Sequence, residues 1–352
     1  MATSAYHNSI NFYYAFLILY SCFYIIRANV QNVNTFCKAV QLIQGDLLND
    51  RRFKNLWYVK NTNRKQRKYG LRLSHIEDFF EELSRPQIRC KKLMQLGGIH
   101  CKGHTHGAQN LCMDSSLDIT PKNCTVYSFG LVEYTPFEDM MSDYGCEVYM
   151  FDPTIKYENV KDSLKDNQYF YSYGLDIQNT VSMLDLEYEN GTHELIKRTL
   201  LPYDLLRKKI DHEERVVHYL KIDIEGSEWK ILDYLLENSL LEDILQIAIE
   251  VHATPLIHIL RDGRNNEEQN PTHSNCSILH DDELATSSWV LDHIQEYWKI
   301  LSKLQLHGFQ RAYYKEHLNH IRENITDHEK TVSTCGDLLY IRTGRGFASK
   351  YE

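Results

Sequence analysis

The sequence predicts a doubly wound α/β domain from Cys90 to about Thr343. Seven short apolar runs alternate there with amphipathic stretches, as in a sheet covered by helices. The first run ends in a lone glycine before a helical stretch, and the next run ends in an aspartate about twenty residues on. The fourth run ends in "DIEGSE" (223–228), three carboxylates where an apolar strand should finish. At 352 residues, 43% apolar and 25% charged, the chain has the composition of a folded globular protein. Its net charge of −9 argues against nucleic acid as the main partner.

Taken in order, "INFYYAFLILYSCFYII" (10–26) is an uncharged apolar stretch of 17 residues. It is near the lower limit for a membrane span and slightly long for a signal-peptide core. Residues 1–27 are therefore expected to be a signal peptide or signal anchor. No Lys or Arg precedes the stretch, while Arg27 and Lys38 follow it, which by the positive-inside tendency puts that flank in the cytoplasm. Two observations point to the lumen instead. Four sequons occur, at Asn123, Asn190, Asn275 and Asn324, and of nine cysteines the eight outside the apolar stretch can pair fully. The expectation is a disulfide-bonded glycoprotein of the secretory pathway, membrane-anchored in the ER or Golgi lumen or secreted.

Residues 28–87 read as a stem and helical lead-in. From Arg51 to Arg72 there are nine basic residues and no acidic one, a solvated linker or a contact for a polyanion. "SHIEDFFEELSRPQIRCKKLMQLGG" reads as helical pieces broken at Pro86 and ended by Gly97-Gly98. The domain proper is expected over 88–343, with 344–352 as a tail. Its strands are expected at 124–130, 147–152, 169–174, 216–223, 244–251, 309–314 and 337–342, and its main helices at 134–143, 227–238 and 287–306. Residues 252–285 form a long loop leaving the end of the fifth strand, the edge where α/β sheets bind ligands. Its tip is rich in Asn, Asp and Glu, and its ends are candidates for a lid.

The chemistry gathers at the strand ends. Gly130 makes the turn after the first strand, where backbone N–H groups at a helix start can meet an anion. The second strand ends "FDPT", placing Asp152 where ribose hydroxyls are commonly held. If 216–225 is extended, Lys221, Asp223 and Glu225 share a face, because side chains alternate. Gly226 then turns the chain, Ser227 caps the next helix, and Glu228 suits its N-terminal dipole. The fifth strand ends "IAIEVH", with Glu250 and His252 on one face and a neighbouring strand about 4.8 Å away. Asp223, Glu225, Glu250 and His252 would then converge as a site for Mg²⁺ or Mn²⁺, or around His252 as general base. The alternative is a salt-bridge network with Lys221 and nearby arginines.

"CKGHTHGAQNLC" (101–112) offers Cys101, His104, His106 and Cys112 in a zinc-like spacing, although a disulfide between these cysteines fits an oxidising compartment better. "TGRGF" lacks a following helix and is no phosphate loop.

"VYSFG…FEDMMSDYGCEVYMFDPT", "LKIDIEGSEWKIL", "IAIEVH", "YWKILSKLQLHGF" and "CGDLLYI", in this order over roughly 88–343, resemble the FkbM-related methyltransferase-like family. The resemblance implies a class I methyltransferase, Rossmann-like, with seven strands of which the last is antiparallel, and S-adenosylmethionine as cofactor. It assigns Gly130 to the cofactor turn, and Asp152 with Pro153 beside it to the ribose contact. Asp223, Glu225 and Glu228 fall in the shared acidic motif, Glu250 and His252 at the fifth strand's end. The family's first turn usually reads Asp-x-Gly-Ala-Asn-x-Gly; here Ser128 replaces the Asp and Tyr134 the second Gly, and Glu133 is the expected substitute for the missing charge.

Together these readings give an S-adenosylmethionine-dependent methyltransferase acting on oxygen in a small molecule or glycan. Two rivals stand beside it. A metal-dependent type II glycosyltransferase would share the anchor and stem, with Asp223-Ile-Glu225 as its metal motif. A binding protein on a methyltransferase scaffold would explain the altered first turn.

Overall fold

The structure is a computed structural model, and it describes residues 72–98, 107–131, 135–187, 193–253, 278–280, 288–316 and 331–343. The apolar stretch 10–26, the basic stem before Arg72, Cys101, His104, His106, Glu133, Tyr134 and the loop 254–277 lie outside them, as do the sequons at Asn190, Asn275 and Asn324. No helix among the described residues is long and apolar enough to cross a membrane.

Helix α1 (Ile76–Leu83) starts where the Asp78 carboxylate accepts the backbone N–H groups of Ser74 and His75. Its apolar stripe of Ile76, Phe79, Phe80 and Leu83 is buried, and it ends before Pro86 as expected. The next segment corrects the sequence reading. Residues 93–96 are strand β1 (Leu93–Leu96), paired antiparallel with β2 (Gln109–Cys112), rather than helix. Tertiary anchors override the local helical pattern here: a Cys90–Cys112 disulfide, and the buried Gln246 amide bonded to both the N–H and the C=O of Cys112.

The seven expected strands are all present and form one sheet. They are β3 (Thr125–Phe129), then after helix α2 (Pro136–Tyr144) strand β4 (Glu147–Phe151), then after the short α3 (Tyr157–Val160) strand β5 (Gln168–Tyr171). The run 169–174 was expected to be one strand. It breaks at Ser172, and β6 (Tyr173–Leu175) joins β7 (Thr180–Glu187) and β8 (His193–Leu201) in a separate three-stranded sheet. Helix α4 (Tyr203–Lys209) leads to β9 (Tyr219–Ile222), helix α5 (Glu228–Glu237) and β10 (Gln246–His252). A small pair, β11 (Ile278–His280) with β13 (Thr331–Ser333), brackets helix α6 (Ser288–Leu306) and β12 (Phe309–Glu316), and β14 (Cys335–Arg342) follows.

The main sheet runs β12-β14-β10-β9-β3-β4-β5, and β14 is antiparallel to both its neighbours. This is the class I methyltransferase-like doubly wound sheet that the resemblance implies. Strands buried on both faces read as continuous apolar runs rather than alternating ones. On one face Tyr127, Phe129, Phe151, Leu220, Ile222 and Ile249 pack with Trp229, Leu232 and Leu235 of α5 and Leu301 of α6. On the other, Val126, Val148, Met150 and Tyr219 pack with Phe137 and Met141 of α2. The chain winds outward from β3 in one direction through β4 and β5, and in the other through β9 and β10. The crevice between the ends of β3 and β9 is thus the switch point at which such sheets bind ligands.

Candidate functional site

Gly130 leaves β3 at this crevice with φ +78°, a backbone conformation that disfavours any side chain. A Cβ there would sit 1.6 Å from the carbonyl oxygen of Asp223, so the turn and the end of β9 touch backbone to backbone. Gly130 N–H donates to the Phe151 carbonyl at 3.1 Å, and Asp223 N–H to the Phe129 carbonyl at 3.1 Å. The turn after β3 and the end of β9 are thus joined into one backbone cradle at the crevice. Helix α2 begins only at Pro136, so the glycine does not open a helix directly as the sequence suggested.

Asp152 is buried just past β4. Its Oδ2 accepts the Leu131 N–H at 2.9 Å, and its Oδ1 accepts the Thr154 N–H and hydroxyl at 2.7 and 2.5 Å. The carboxylate therefore pins the turn after β3 to the loop after β4, a role the sequence did not reveal beside the expected ribose contact. Pro153 packs on the β6 backbone, where a Cβ on Gly174 would meet its Cγ at 2.8 Å.

The missing strand-end carboxylate has a neighbour in reserve. Ser128 is fully buried and its hydroxyl donates to Glu138 Oε1 at 2.6 Å, so α2 brings an acid beneath the turn. Sequence reasoning did not single out Glu138. The only signal was an acid in the first turn of a helix expected to lie there.

At the end of β9 the backbone departs from the expected extended run, since the strand stops at Ile222 and Glu225 has φ +55°. That reversal carries the Glu225 carboxylate to within 3.5 Å of His252 Nε2, while Glu250 on β10 approaches the same nitrogen at 3.7 Å. Donor atoms of Asp223, Glu225 and His252 all lie within 4.8 Å of one another. The four residues expected to converge do so.

Glu228 is where the sequence reading goes astray. It is the first residue of α5, yet it faces inward, 0% exposed, and its Oε1 bonds His252 Nδ1, which is 1% exposed. Ser227 stands at the helix N-cap without a side-chain cap bond. Residues 228, 231, 232 and 235 form the buried stripe of α5. A carboxylate on an apolar stripe was the signal that Glu228 does more than complement a dipole. Trp229 Nε1 donates to the His252 carbonyl at 2.9 Å, so both ends of the histidine are held by α5.

Burial works against charge on this imidazole, but the hydrogen bond and charge of Glu228, with Glu250 and Glu225 beside it, outweigh it and push His252 up to about 9. Burial also pushes the Glu228 carboxyl up, against the pull of His252. The pair therefore keeps its proton through neutral pH.

Lys221 is buried on β9. Its Nζ donates to the Gly130 carbonyl at 2.5 Å and to Asp223 Oδ2 at 3.3 Å. Part of the expected salt-bridge network thus exists, and it reaches the Gly130 turn as well as the acidic motif.

The zinc spacing is not used as proposed, because Cys112 pairs with Cys90 rather than joining Cys101 in a ligand set or a disulfide. Cys124 pairs with Cys146, and Cys335 is disulfide-bonded too.

Comparisons with known proteins bear on this geometry. Residues 38–277 match a family described as a methyltransferase domain. A human protein named methyltransferase-like protein 24 is 27% identical over 179 residues, 49% of this chain and 46% of that protein. Its Rattus norvegicus namesake is 28% identical over 185 residues, with the same coverage. The chain spans about half the length of these curated relatives. A crystal structure described as an S-adenosylmethionine-dependent methyltransferase from Listeria monocytogenes aligns with a TM-score of 0.32 at 11% identity, covering 65% of this chain and 97% of that one.

Proposed function

The chain belongs to this methyltransferase-domain family, and we propose on that premise that it transfers a methyl group from S-adenosylmethionine to an oxygen of a small molecule or glycan in the secretory pathway. The observation that carries this reading is the backbone contact between Gly130 and Asp223. It joins the two strand ends at the switch point and sets the acidic cluster directly beside them. The family match also sets aside the glycosyltransferase alternative.

The residues present suit the cofactor. The Gly130 turn stands at the switch point, where the methionine part would lie, and Asp152 at the end of β4, where the ribose would lie. When bound, S-adenosylmethionine supplies an electrophilic methyl group for in-line displacement. What the chain contributes is position and proton transfer. Holding the acceptor oxygen in line supplies much of the acceleration. His252, fixed by Glu228 and by Trp229, is the expected proton acceptor for the hydroxyl. Its neutral form grows as pH rises toward 9, and turnover should rise with it.

A second reading is favoured by the closeness of the Asp223, Glu225 and His252 donor atoms: a divalent cation, Mg²⁺ or Mn²⁺, polarising the acceptor. Activity that survives EDTA supports the base, and activity lost to EDTA and restored by Mn²⁺ supports the metal.

The compartment rests on separate support. Five of the nine cysteines are in disulfides among the described residues, which suits an oxidising lumen. The sequon residue Asn123 is exposed. The experiment is expression in animal cells followed by glycosidase digestion and thiol alkylation, then a methyl-transfer screen of hydroxylated acceptors. Glycosidase-sensitive, thiol-poor protein with oxygen-methylated product is expected. A reduced, unglycosylated product would overturn the compartment.

A further inference from the structure

We propose that Lys221 is a positioning residue that ties the cofactor turn to the acidic cluster, so that cofactor binding and the placement of Asp223 depend on each other. This rests on the cofactor reading above. Lys221 is paired in register with Ser128 of β3, 5% exposed, near the middle of the main sheet. A buried ammonium survives only where its hydrogens are satisfied and its charge is balanced. Here both conditions are met by functional elements. One donor reaches the carbonyl of Gly130, the residue whose conformation shapes the cradle, at 2.5 Å. Another reaches the carboxylate of Asp223 at 3.3 Å. The backbone of that same Asp223 lies against the Gly130 Cα, so the two loops meet once through the backbone and once through Lys221.

The surroundings hold the ammonium charged. Burial favours its loss of a proton, but Asp223, Glu138 and Glu250 together keep its pKa raised. Glu138 is itself held by Ser128. Whatever displaces the turn must therefore move Lys221, and whatever moves Lys221 must shift Asp223. Linkage makes the effect reciprocal: a ligand that fixes the turn also fixes the carboxylate.

The test uses the full chain and S-adenosylhomocysteine as probe, with affinities from calorimetry. Wild type should bind; if it does not, the cofactor reading fails before Lys221 is touched. Given binding, Lys221→Gln, which keeps a donor but not the charge, should weaken affinity about tenfold or more, and Lys221→Arg should restore part of the loss. The double variant Lys221→Gln/Asp223→Asn should be less impaired than the product of the two single losses, because both break the same link. A folded Lys221→Gln with wild-type affinity, or losses that multiply independently, overturns the proposal while leaving the cofactor reading intact. A measurement without substitution guards against a variant that does not fold. In wild type the Lys221 side-chain ¹⁵N resonance should shift and its hydrogens exchange more slowly when S-adenosylhomocysteine binds. An unmoved resonance overturns the proposal.

Discussion

The carbonyl oxygen of Asp223 occupies the space in which a side chain on Gly130 would begin, 1.6 Å from an ideal Cβ. Two loops from strands far apart in sequence are thereby held at backbone contact, and the cradle's shape depends on it.

Gly130→Ala must pay both for a left-handed backbone, about 1–2 kcal/mol, and for an overlap that only backbone movement relieves. A clear fall in melting temperature and loss of S-adenosylhomocysteine binding are expected. Wild-type melting and affinity would show that the contact is not constraining.

Asp152→Asn trades one carboxylate acceptor for a donor in a site where Leu131 and Thr154 both donate. Each charge-assisted bond contributes about 1.5–3 kcal/mol, so affinity for S-adenosylhomocysteine should fall roughly ten- to a hundredfold. Melting temperature should drop as well, because the turn after β3 and the loop after β4 both hang on this side chain. An affinity equal to wild type would remove Asp152 from cofactor binding.

Glu228→Gln removes the carboxylate that raises His252. The imidazole titration, followed by NMR, should fall from about 9 toward the ordinary value near 6.5. Because the folded pKa lies above the unfolded one, the pair's stabilisation is present below about 6.5 and disappears as pH rises through 9. In Glu228→Gln that decline should flatten. An unchanged titration would mean that Glu228 is not the partner that matters.

His218 behaves in the opposite sense. It is buried, and its Nδ1 accepts the Thr125 N–H at 3.1 Å, a bond that protonation would break. Burial, with help from Arg215, holds its pKa below the usual histidine value. Its contribution to stability is therefore complete above about pH 6.5 and is lost as pH falls toward its folded pKa. Melting temperature should decline below pH 6.5, and less steeply in His218→Gln. An identical slope in the two proteins would contradict this.

Cys90–Cys112 and Cys124–Cys146 each close a loop of 22 residues' separation. Constraining the unfolded chain in this way stabilises by about 3 kcal/mol per bridge. Melting with and without reductant should show a large fall, and Cys124→Ser/Cys146→Ser a smaller one. A melting temperature insensitive to reductant would contradict a structural role.

The sheet was legible because buried parallel strands announce themselves as unbroken apolar runs, and all seven were found. The excursion 173–201 was missed because "TVSMLDLE" and "HELIKRTLL" do not alternate cleanly, with apolar neighbours at 183–184, 195–196 and 200–201 and with Val181, Met183 and Leu195 exposed. Residues 93–96 were misread because a disulfide and Gln246 decide their conformation, and neither is a local signal. At the site, Glu250 and His252 could be located by strand periodicity and register, whereas Glu225 reaches them through a reversal after Ile222 that alternation does not announce. The buried partners were not legible. Glu228 had an adequate explanation as a helix-start acid, and Lys221 looked like one member of a network, because only the fold shows that its ammonium reaches Gly130.

The most direct test of the whole account is a calorimetric titration of the folded chain with S-adenosylmethionine and, separately, with a uridine diphosphate sugar. The account predicts saturable binding of S-adenosylmethionine that Asp152→Asn weakens roughly ten- to a hundredfold, and no binding of the nucleotide sugar. Saturable binding of the nucleotide sugar, or no binding of S-adenosylmethionine at millimolar concentration, would contradict it.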